Sequence, residues 1–406
     1  MPFIMGTVLI DMLAIGLIIP VLPAMVGSFT GSQADQAYWY GVVGVGFGLA
    51  NFIASPILGA LSDQYGRRPV LLMGFLGLCV SFYGTALANS MAFLIFVRVM
   101  GGAMQANISI ANAYVADFTS ADDRTKRFGQ LGAMQGLGFI VGPVMGGLLG
   151  AINLHLPFLV AGILATLNLM YGYFVLPESL PIDKRKPFDW RTANPWSAIT
   201  KLTALRGVGS LVGVVAFSGL AQFMLHSSFV LYTTFKFGWG PLENGWTLAT
   251  VGFVSVLVQG FLLSKLLTRF SPQSLAIMGL TSSALAYLLW GLAWQGWMMF
   301  AIVGVNFLGF TVTAAVNSMI SSAADAKSQG QTLGAVSSLN SMMAVLAPAI
   351  SAPLLAMVSH LNKGDWRIGA PFYFCALLQV VSLVLAVYHL KKYKRRNAIQ
   401  LGSDSN

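Results

Sequence analysis

Charge, cysteine and histidine are all scarce in this chain. Only 9 % of its 406 residues are charged, against about 25 % in an ordinary soluble domain, which excludes a water-soluble globule. The two cysteines, Cys79 and Cys375, lie far apart inside apolar runs. That placement gives neither a disulfide framework nor a metal cluster, and leaves them a packing role. Four histidines and 13 acids offer no paired nucleophile and base, which argues against an intramembrane enzyme and against a bound cofactor. The first apolar stretch, from Phe3, follows no basic segment, has no small-residue cleavage pattern and carries Asp11. It reads as a retained span, not a cleaved signal.

What the chain has in quantity is apolar surface and glycine: 56 % hydrophobic residues and 44 glycines. A helix needs about 20 apolar residues to cross a bilayer. Twelve such runs are expected, with cores near 3–27, 39–61, 70–88, 92–115, 129–150, 157–176, 209–233, 244–266, 273–294, 297–321, 331–358 and 370–390. The fold class expected is therefore an all-α polytopic membrane protein of twelve transmembrane helices.

Lys and Arg gather in short cytoplasmic loops, so their distribution orients these spans. With both termini cytosolic, one side receives Arg67, Arg68, Arg124, Lys126, Arg127, six basic residues from Lys184 to Arg206, Lys265, Arg269, Lys327 and five from Lys391 to Arg396, or 19 of 23. The other side holds Lys236, Lys363 and Arg367, and Arg98 falls inside a span. The net charge of +10 is thus a topology signal. The basic tail reads as a clamp on anionic membrane lipid, not as a nucleic-acid site. The longest break, Leu176 to Gly207, divides the spans six and six. Its Trp190 and Trp196 amid basic residues fit either a short amphipathic segment at the interface or a solvated connector. The expected organisation is a six-helix bundle over 1–176, a cytosolic linker over 177–207, a second bundle over 208–390 and a basic cytosolic tail over 391–406.

An internal echo supports two like-oriented halves. Asp117 is followed by Gly129-Gln130-Leu131-Gly132-Ala133, and Asp325 by Gly330-Gln331-Thr332-Leu333-Gly334-Ala335, with the Leu-Gly-Ala triplets 202 residues apart.

Five sequence patterns narrow the family. The turn Gly59-Ala-Leu-Ser-Asp63-Gln-Tyr-Gly66-Arg67-Arg68-Pro69 lies between two apolar stretches and resembles the loop after the second helix of the major facilitator superfamily. Asp11-x4-Gly16-x3-Pro20-x-Leu22-Pro23 resembles the first-helix signature of its drug-exporter branch. Arg98-x2-Gly101-Gly102-x2-Gln105-x-Asn107 is similar to the basic fourth-helix signature, and Gly138-x3-Gly142-Pro143-x2-Gly146-Gly147 to the fifth-helix signature of antiporters. Tyr114-Val-Ala-Asp117, Leu176-Pro177-Glu178-Ser179 and Gln329-Gly330-Gln331 together resemble the tetracycline-exporter group. The resemblance spans nearly the whole chain. It implies two pseudo-symmetric six-helix bundles in a bacterial inner membrane, a monomer that moves a small-molecule substrate against protons, with the proton gradient as its energy source.

The residues behind those motifs have physical readings of their own. Asp11 is costly in a span, by at least about 2.5 kcal/mol, and so faces a wet cavity or a partner. A carboxylate whose surroundings alternate between water and low dielectric can carry a proton; the alternative is a neutral Asp that ties helices together. Arg98 keeps its charge and shares one small or polar helical face with Gly102, Gln105, Ser109 and Asn112, expected to line the central cavity. In the family reading it tunes a nearby acid, with Asp11 as candidate partner; the alternative is a structural cation paired to carbonyls. Gly138, Gly142 and Gly146 recur every four residues and let another backbone approach, with Pro143 adding a bend; they suit a rocking interface or plain close packing. Asp63, Gly66, Arg67 and Arg68 suit a conformational latch in which Asp63 meets the positive end of the eleventh helix near Gln331, or a plain turn that carries topology charges. The matching C-terminal loop around Gly260 to Arg269 has Lys265 and no acid.

Gln222 and His226 lie one turn apart, followed by Phe229 and Tyr232; His226 can titrate or contact substrate, or simply bond within the bundle. The amides Asn51, Gln135, Asn306, Asn317 and Asn340 suit a cavity wall or helix glue. Tetracycline exporters carry further acids in the third and ninth helices and a histidine in the eighth. Here Ser81 stands near the third-helix position, and the runs 244–266 and 273–294 contain no Asp, Glu or His. The leading expectation is a proton-coupled exporter of amphiphilic organic compounds or drugs. The alternatives are an importer or facilitator of a small polar metabolite, and a non-transporting membrane receptor.

Overall fold

Proline decides where the first apolar run bends. In the computed structural model, which describes residues 2–105, 107–119, 124–190, 193–194, 209–323 and 329–403, helix α1 covers Pro2–Ile18 and α2 covers Leu22–Gly27. Between them lies Pro20, which has no N–H to give the helical ladder. The expected single span over 3–27 is therefore two helices. Next come α3 (Gln33–Tyr65), α4 (Arg67–Ala86), α5 (Met91–Met104), α6 (Asn107–Asp117), α7 (Arg124–Ile152) and α8 (Leu156–Val175). After the linker come α9 (Gly209–Phe237), α10 (Pro241–Leu257), a π-helical turn Val258–Leu262, α11 (Leu263–Arg269), α12 (Pro272–Leu292) and α13 (Trp297–Val305). A 3-10 stretch Asn306–Thr311, α14 (Val312–Ala323), α15 (Gln329–Val358) and α16 (Ala370–Ser403) complete the chain.

Eleven stretches among the described residues are long and apolar enough to cross a membrane, from Gln33–Tyr65 to Trp366–Lys391, while Ile4–Ile18 is a shorter apolar helix. Large apolar side chains such as Leu76, Val80, Phe96 and Val384 point outward, as they do where lipid is the solvent. The stretch expected as a loop around Gly260–Arg269 is helical, and α16 continues through the expected basic tail to Ser403.

The chain divides into two units, Met1–Ser197 with Ser227–Phe253 and Pro348–Asp365, and Ala198–His226 with Val254–Ala347 and Trp366–Asn406. The division passes through α9, α10 and α15. In the first unit α1 packs on α7 and α8, α4 on α5 and α8, and α3 on α5. Two buried apolar clusters fill it, one around Leu17, Met25, Phe82 and Phe158, the other around Ile4, Leu71, Phe75 and Tyr114. In the second unit α12 packs on α14, α16 and the 3-10 stretch, around Leu275, Leu280, Val316 and Ile320.

Two helix irregularities occupy matching places in the sequence repeat. The expected run 92–115 breaks after Met104, where Gln105 has φ −94° and ψ 82°. Adding the offset of 202 lands inside the 3-10 stretch, at Phe307. The neighbouring helices repeat too. Gly77 and Ser81 on α4 reappear as Gly279 and Ser283 on α12. A Cβ on Gly77 would strike Met104, and one on Gly279 would lie 2.8 Å from the Leu308 carbonyl. The absence of a side chain lets each irregular segment lie close.

Candidate functional site

A helix broken within an apolar segment must satisfy its freed carbonyls from within the protein. At the α5–α6 break Asn51 on α3 does this, its Nδ2 donating to the Gly102 carbonyl at 3.4 Å and to the Gln105 carbonyl. Asn51 is thus helix glue. The break also overturns the continuous face expected for Arg98, Gly102, Gln105, Ser109 and Asn112, because Ser109 and Asn112 start from a new helix, α6, with its own register.

The break places Asn107 against Asp11. Asp11 on α1 and Asn107 at the start of α6 are only 5 % and 3 % exposed. The Asn107 Nδ2 donates to the two Asp11 oxygens at 3.5 and 3.4 Å, and its Oδ1 has no hydrogen-bond partner. Both side chains line a cavity of about 10 Å³, walled by Thr7, Leu71, Phe75 and Ala111; that is roughly the room one water needs.

Arg98 does not reach Asp11. The guanidinium lies 4.7 Å from the Phe47 ring centroid and within electrostatic reach of Tyr40, and its Nε has no hydrogen-bond partner. Among the described residues no ion pair or hydrogen bond joins Arg98 to Asp11. Arg98 thus makes a cation–π contact while Asp11 bonds an amide. Ser81, at the position where an exporter acid was expected, packs against Gly101 on α5.

The glycine stripe of α7 faces α1, the helix that carries Asp11. A Cβ on Gly138 would lie 2.5 Å from the Met12 Cβ, and one on Gly142 would lie 2.7 Å from the Gly16 Cα. Gly146 meets the Leu17 carbonyl in the same way. The opposite edge of α7 meets α10: Gly245 lies against the Pro143 carbonyl, and a Cβ on Gly147 would stand 2.7 Å from the Pro241 carbonyl.

The charged turn between α3 and α4 is built around Gly66, whose φ of +108° favours glycine. A side chain there would also strike the Glu178 carboxylate. Glu178 follows α8 and caps the start of α4. Its Oε1 accepts from the backbone N–H of Arg67 at 2.8 Å, Ser179 at 2.9 Å and Leu180 at 3.0 Å. Its Oε2 accepts from Arg68 N–H at 3.2 Å. An anion at a helix N-terminus is favoured by the free N–H groups and the helix dipole.

Arg67 then joins three elements. Its guanidinium meets the Asp63 carboxylate at 2.6 Å, the Ser62 hydroxyl at 2.7 Å and Asp117 at the end of α6 at 3.3 Å. Ser179 donates to the same Asp117 oxygen at 2.9 Å. Arg68 donates to the Tyr173 carbonyl at 2.5 Å. Asp63 is thus held locally by Arg67; the Gln331 side chain and Asp325 lie outside the described residues, as do Trp196 and most of the linker beyond residue 190. Glu178, Ser179 and Asp117 were absent from the expected latch. Their signal was present in Leu176-Pro177-Glu178-Ser179 and Tyr114-Val-Ala-Asp117, but no spacing rule joins these segments to the turn.

The expected cavity residues fall into two sets. Gln105, Asn112 and Gln135 belong to the first unit, with Phe229, which is buried. Gln222, His226, Asn306 and Asn340 belong to the second. Gln222 and His226 are exposed on α9. Asn306 is buried and accepts from the Ser282 hydroxyl at 3.0 Å, so it ties α12 to the 3-10 stretch. Asn340 on α15 faces Gly219 on α9.

Comparison with known proteins places this arrangement. The model of the Major Facilitator Superfamily matches residues 4–348 and 211–404. The chain is 35 % identical to the class C tetracycline resistance protein of Escherichia coli, over 92 % of this chain and 94 % of that one. It is 26 % identical to multidrug resistance protein 2 of Bacillus subtilis (strain 168), over 98 % and 96 %. Among solved structures, the human organic anion transporter MFSD10 aligns with a TM-score of 0.69 at 22 % identity, over 95 % of this chain and 98 % of that one. The nucleoside transporter NupG aligns with a TM-score of 0.75 at 14 % identity, over 97 % and 98 %. At such identities these two share its fold. With a family model covering almost the entire chain and a relative at 35 % identity, the chain belongs to the major facilitator superfamily.

Proposed function

We propose that this transporter is a proton-coupled antiporter that exports amphiphilic organic compounds. The observation that carries the reading is Asp11, a buried carboxylate whose hydrogen-bond partner is a single amide at 3.4–3.5 Å, in a chain 35 % identical to a tetracycline resistance protein. A carboxylate so weakly held can gain and lose a proton as its access to water changes. Arg98 acts from a distance as a fixed positive charge that biases that exchange. Gln105, Asn112, Gln135, Gln222, His226, Phe229, Asn306 and Asn340 contribute to the substrate walls, Asn306 through the helix junction it holds.

In this proposal α1 and α2 form one further span, giving twelve in two six-helix bundles over 1–176 and 208–390, joined by 177–207. Both termini face the cytosol of a bacterium, and the protein works as a monomer in the inner membrane, with the basic residues near 391–396 on anionic lipid. The Asp63–Gly66–Arg67–Arg68 turn, with Glu178 and Asp117, serves as a cytosolic latch. Gly138, Gly142, Pro143 and Gly146 let α1 and α7 move as one packed pair.

Expression in a drug-sensitive bacterial host, with uptake of tetracycline and cationic dyes followed in energised cells, tests this reading. Lower accumulation than in vector controls is expected, abolished when the proton gradient is collapsed. Equal accumulation for every compound, or export that persists without the gradient, would contradict it.

A further inference from the structure

The Asn107 amide is the one polar group bonded to Asp11 by a side chain among the described residues, and half of that amide is unused. Its Nδ2 points to the carboxylate, while its Oδ1, fully buried, has no partner. A buried acceptor left without a donor is destabilising, so an arrangement that leaves one open in one protonation state calls for a state that uses it. Asp11 provides that state. The ionised carboxylate accepts only, whereas the protonated carboxyl has an O–H to donate.

We propose that Asn107 sets the proton affinity of Asp11, giving its N–H to the carboxylate and, after a half-turn of the amide, its carbonyl oxygen to the carboxylic acid. The inference rests on the reading of Asp11 as the proton carrier. On release the carboxyl O–H bond breaks, the electron pair stays on the carboxylate, and the proton passes to water on the side to which the site opens. On uptake the same bond re-forms. Asn107 is a positioning residue: no bond to it is made or broken.

The surroundings are built for this exchange. Asn107 stands at the first position of α6, beside the break, so its side chain is held by a helix end and not by a continuous ladder. Gly74 on α4 leaves the space that its Oδ1 occupies, and a Cβ there would strike that oxygen. The cavity of about 10 Å³ shared by Asp11 and Asn107 is otherwise almost wholly apolar, so an amide has little competition for the carboxyl.

Few other groups bear on Asp11. From α4, Cys79 lies within electrostatic reach. From α8, Tyr171 packs against Gly6, more than a turn away on α1. The α7 segment packed on α1 carries no charge between Phe128 and Ile152. Arg98 is turned to Phe47.

The test is an infrared titration of the solubilised full chain, following the carboxyl C=O band that disappears in Asp11→Asn. A hydrogen bond to the ionised form is roughly twice as strong as one to the neutral form, so losing the N–H donor outweighs losing the carbonyl acceptor, and the midpoint should rise in Asn107→Ala by up to about one pH unit, tenfold in proton affinity. Asn107→Asp keeps the size of the side chain and substitutes a second carboxyl. The two carboxyls then titrate as a pair, and the later of their two midpoints should lie above the wild-type one, by like-charge repulsion, which keeps the test open if Asn107→Ala folds poorly. A midpoint equal to wild type or lowered in Asn107→Ala, or a later midpoint no higher than wild type in Asn107→Asp, would overturn the proposal. The titration needs no substrate. A failure of drug export would sink the transport reading and leave the titration result standing, whereas intact export with an unmoved midpoint would sink only the role of Asn107.

Discussion

Asp11 and Glu178 are both acids, and their surroundings give them different work. Asp11 has one amide at the edge of hydrogen-bonding distance. Glu178 is held by four backbone N–H groups and so is fixed as a helix cap. Glu178→Gln should cost about 1–2 kcal/mol at the start of α4, read as roughly tenfold faster hydrogen exchange at the Arg67 and Arg68 amides. Unchanged exchange at those amides would show that the cap contributes nothing. Asp11 was legible in the sequence because a charge inside an apolar run stands out by its cost alone. The pairing with Asn107 was not. It depends on a helix break at Gln105 that Asn51, more than fifty residues earlier, holds open, and helical spacing across that break gives the wrong face for Asn112. That Arg98 turns to Phe47 was hidden for the same reason: spacing orders residues along one helix and says little about which neighbour an Arg will find.

Among elements, the α1–α7 pair is where glycine matters most. Gly142→Ala would bring a Cβ to 2.7 Å from the Gly16 Cα and 2.9 Å from the Leu13 carbonyl. Backbone cannot yield like a side chain, so this overpacking should cost about 1–3 kcal/mol and lower the thermal midpoint of the detergent-solubilised protein. Gly132→Ala, on the same helix with open space around it, is the control and should leave the midpoint unchanged or raised. Equal midpoints for the two variants would refute close packing at the stripe. The four-residue recurrence made the stripe visible in the sequence; that it meets α1 needed the fold. Helix existence was also legible, since apolar runs of sufficient length have few alternatives in a membrane. The irregular turns at 105 and 306–311 were hidden because what meets them is tertiary: an amide from α3 in one case, a glycine–serine pair on α12 in the other.

At the scale of the whole molecule, the charge asymmetry and the repeat carry most of the argument. The Leu-Gly-Ala echo at 202 residues was readable directly, and the Gly77/Ser81 and Gly279/Ser283 pairs at the same offset gain meaning only beside the two helix irregularities. The basic residues predict that Lys184 is cytosolic and Lys363 external. In a background lacking Cys79 and Cys375, single cysteines at these exposed positions can be labelled in intact cells with a membrane-impermeant maleimide. Labelling at 363 and protection at 184 is expected; the reverse pattern would invert the proposed topology.

In the proposed mechanism substrate and proton movements are joined through Asp11. Its most direct test is proton flux in proteoliposomes under an imposed pH gradient, on addition of tetracyclines, cationic dyes and small metabolites, for wild type and Asp11→Asn. A substrate-dependent proton flux is expected in the wild type and should be abolished by the substitution. Substrate movement without proton flux, unchanged by Asp11→Asn, would contradict it and leave Asp11 as a structural residue of a facilitator.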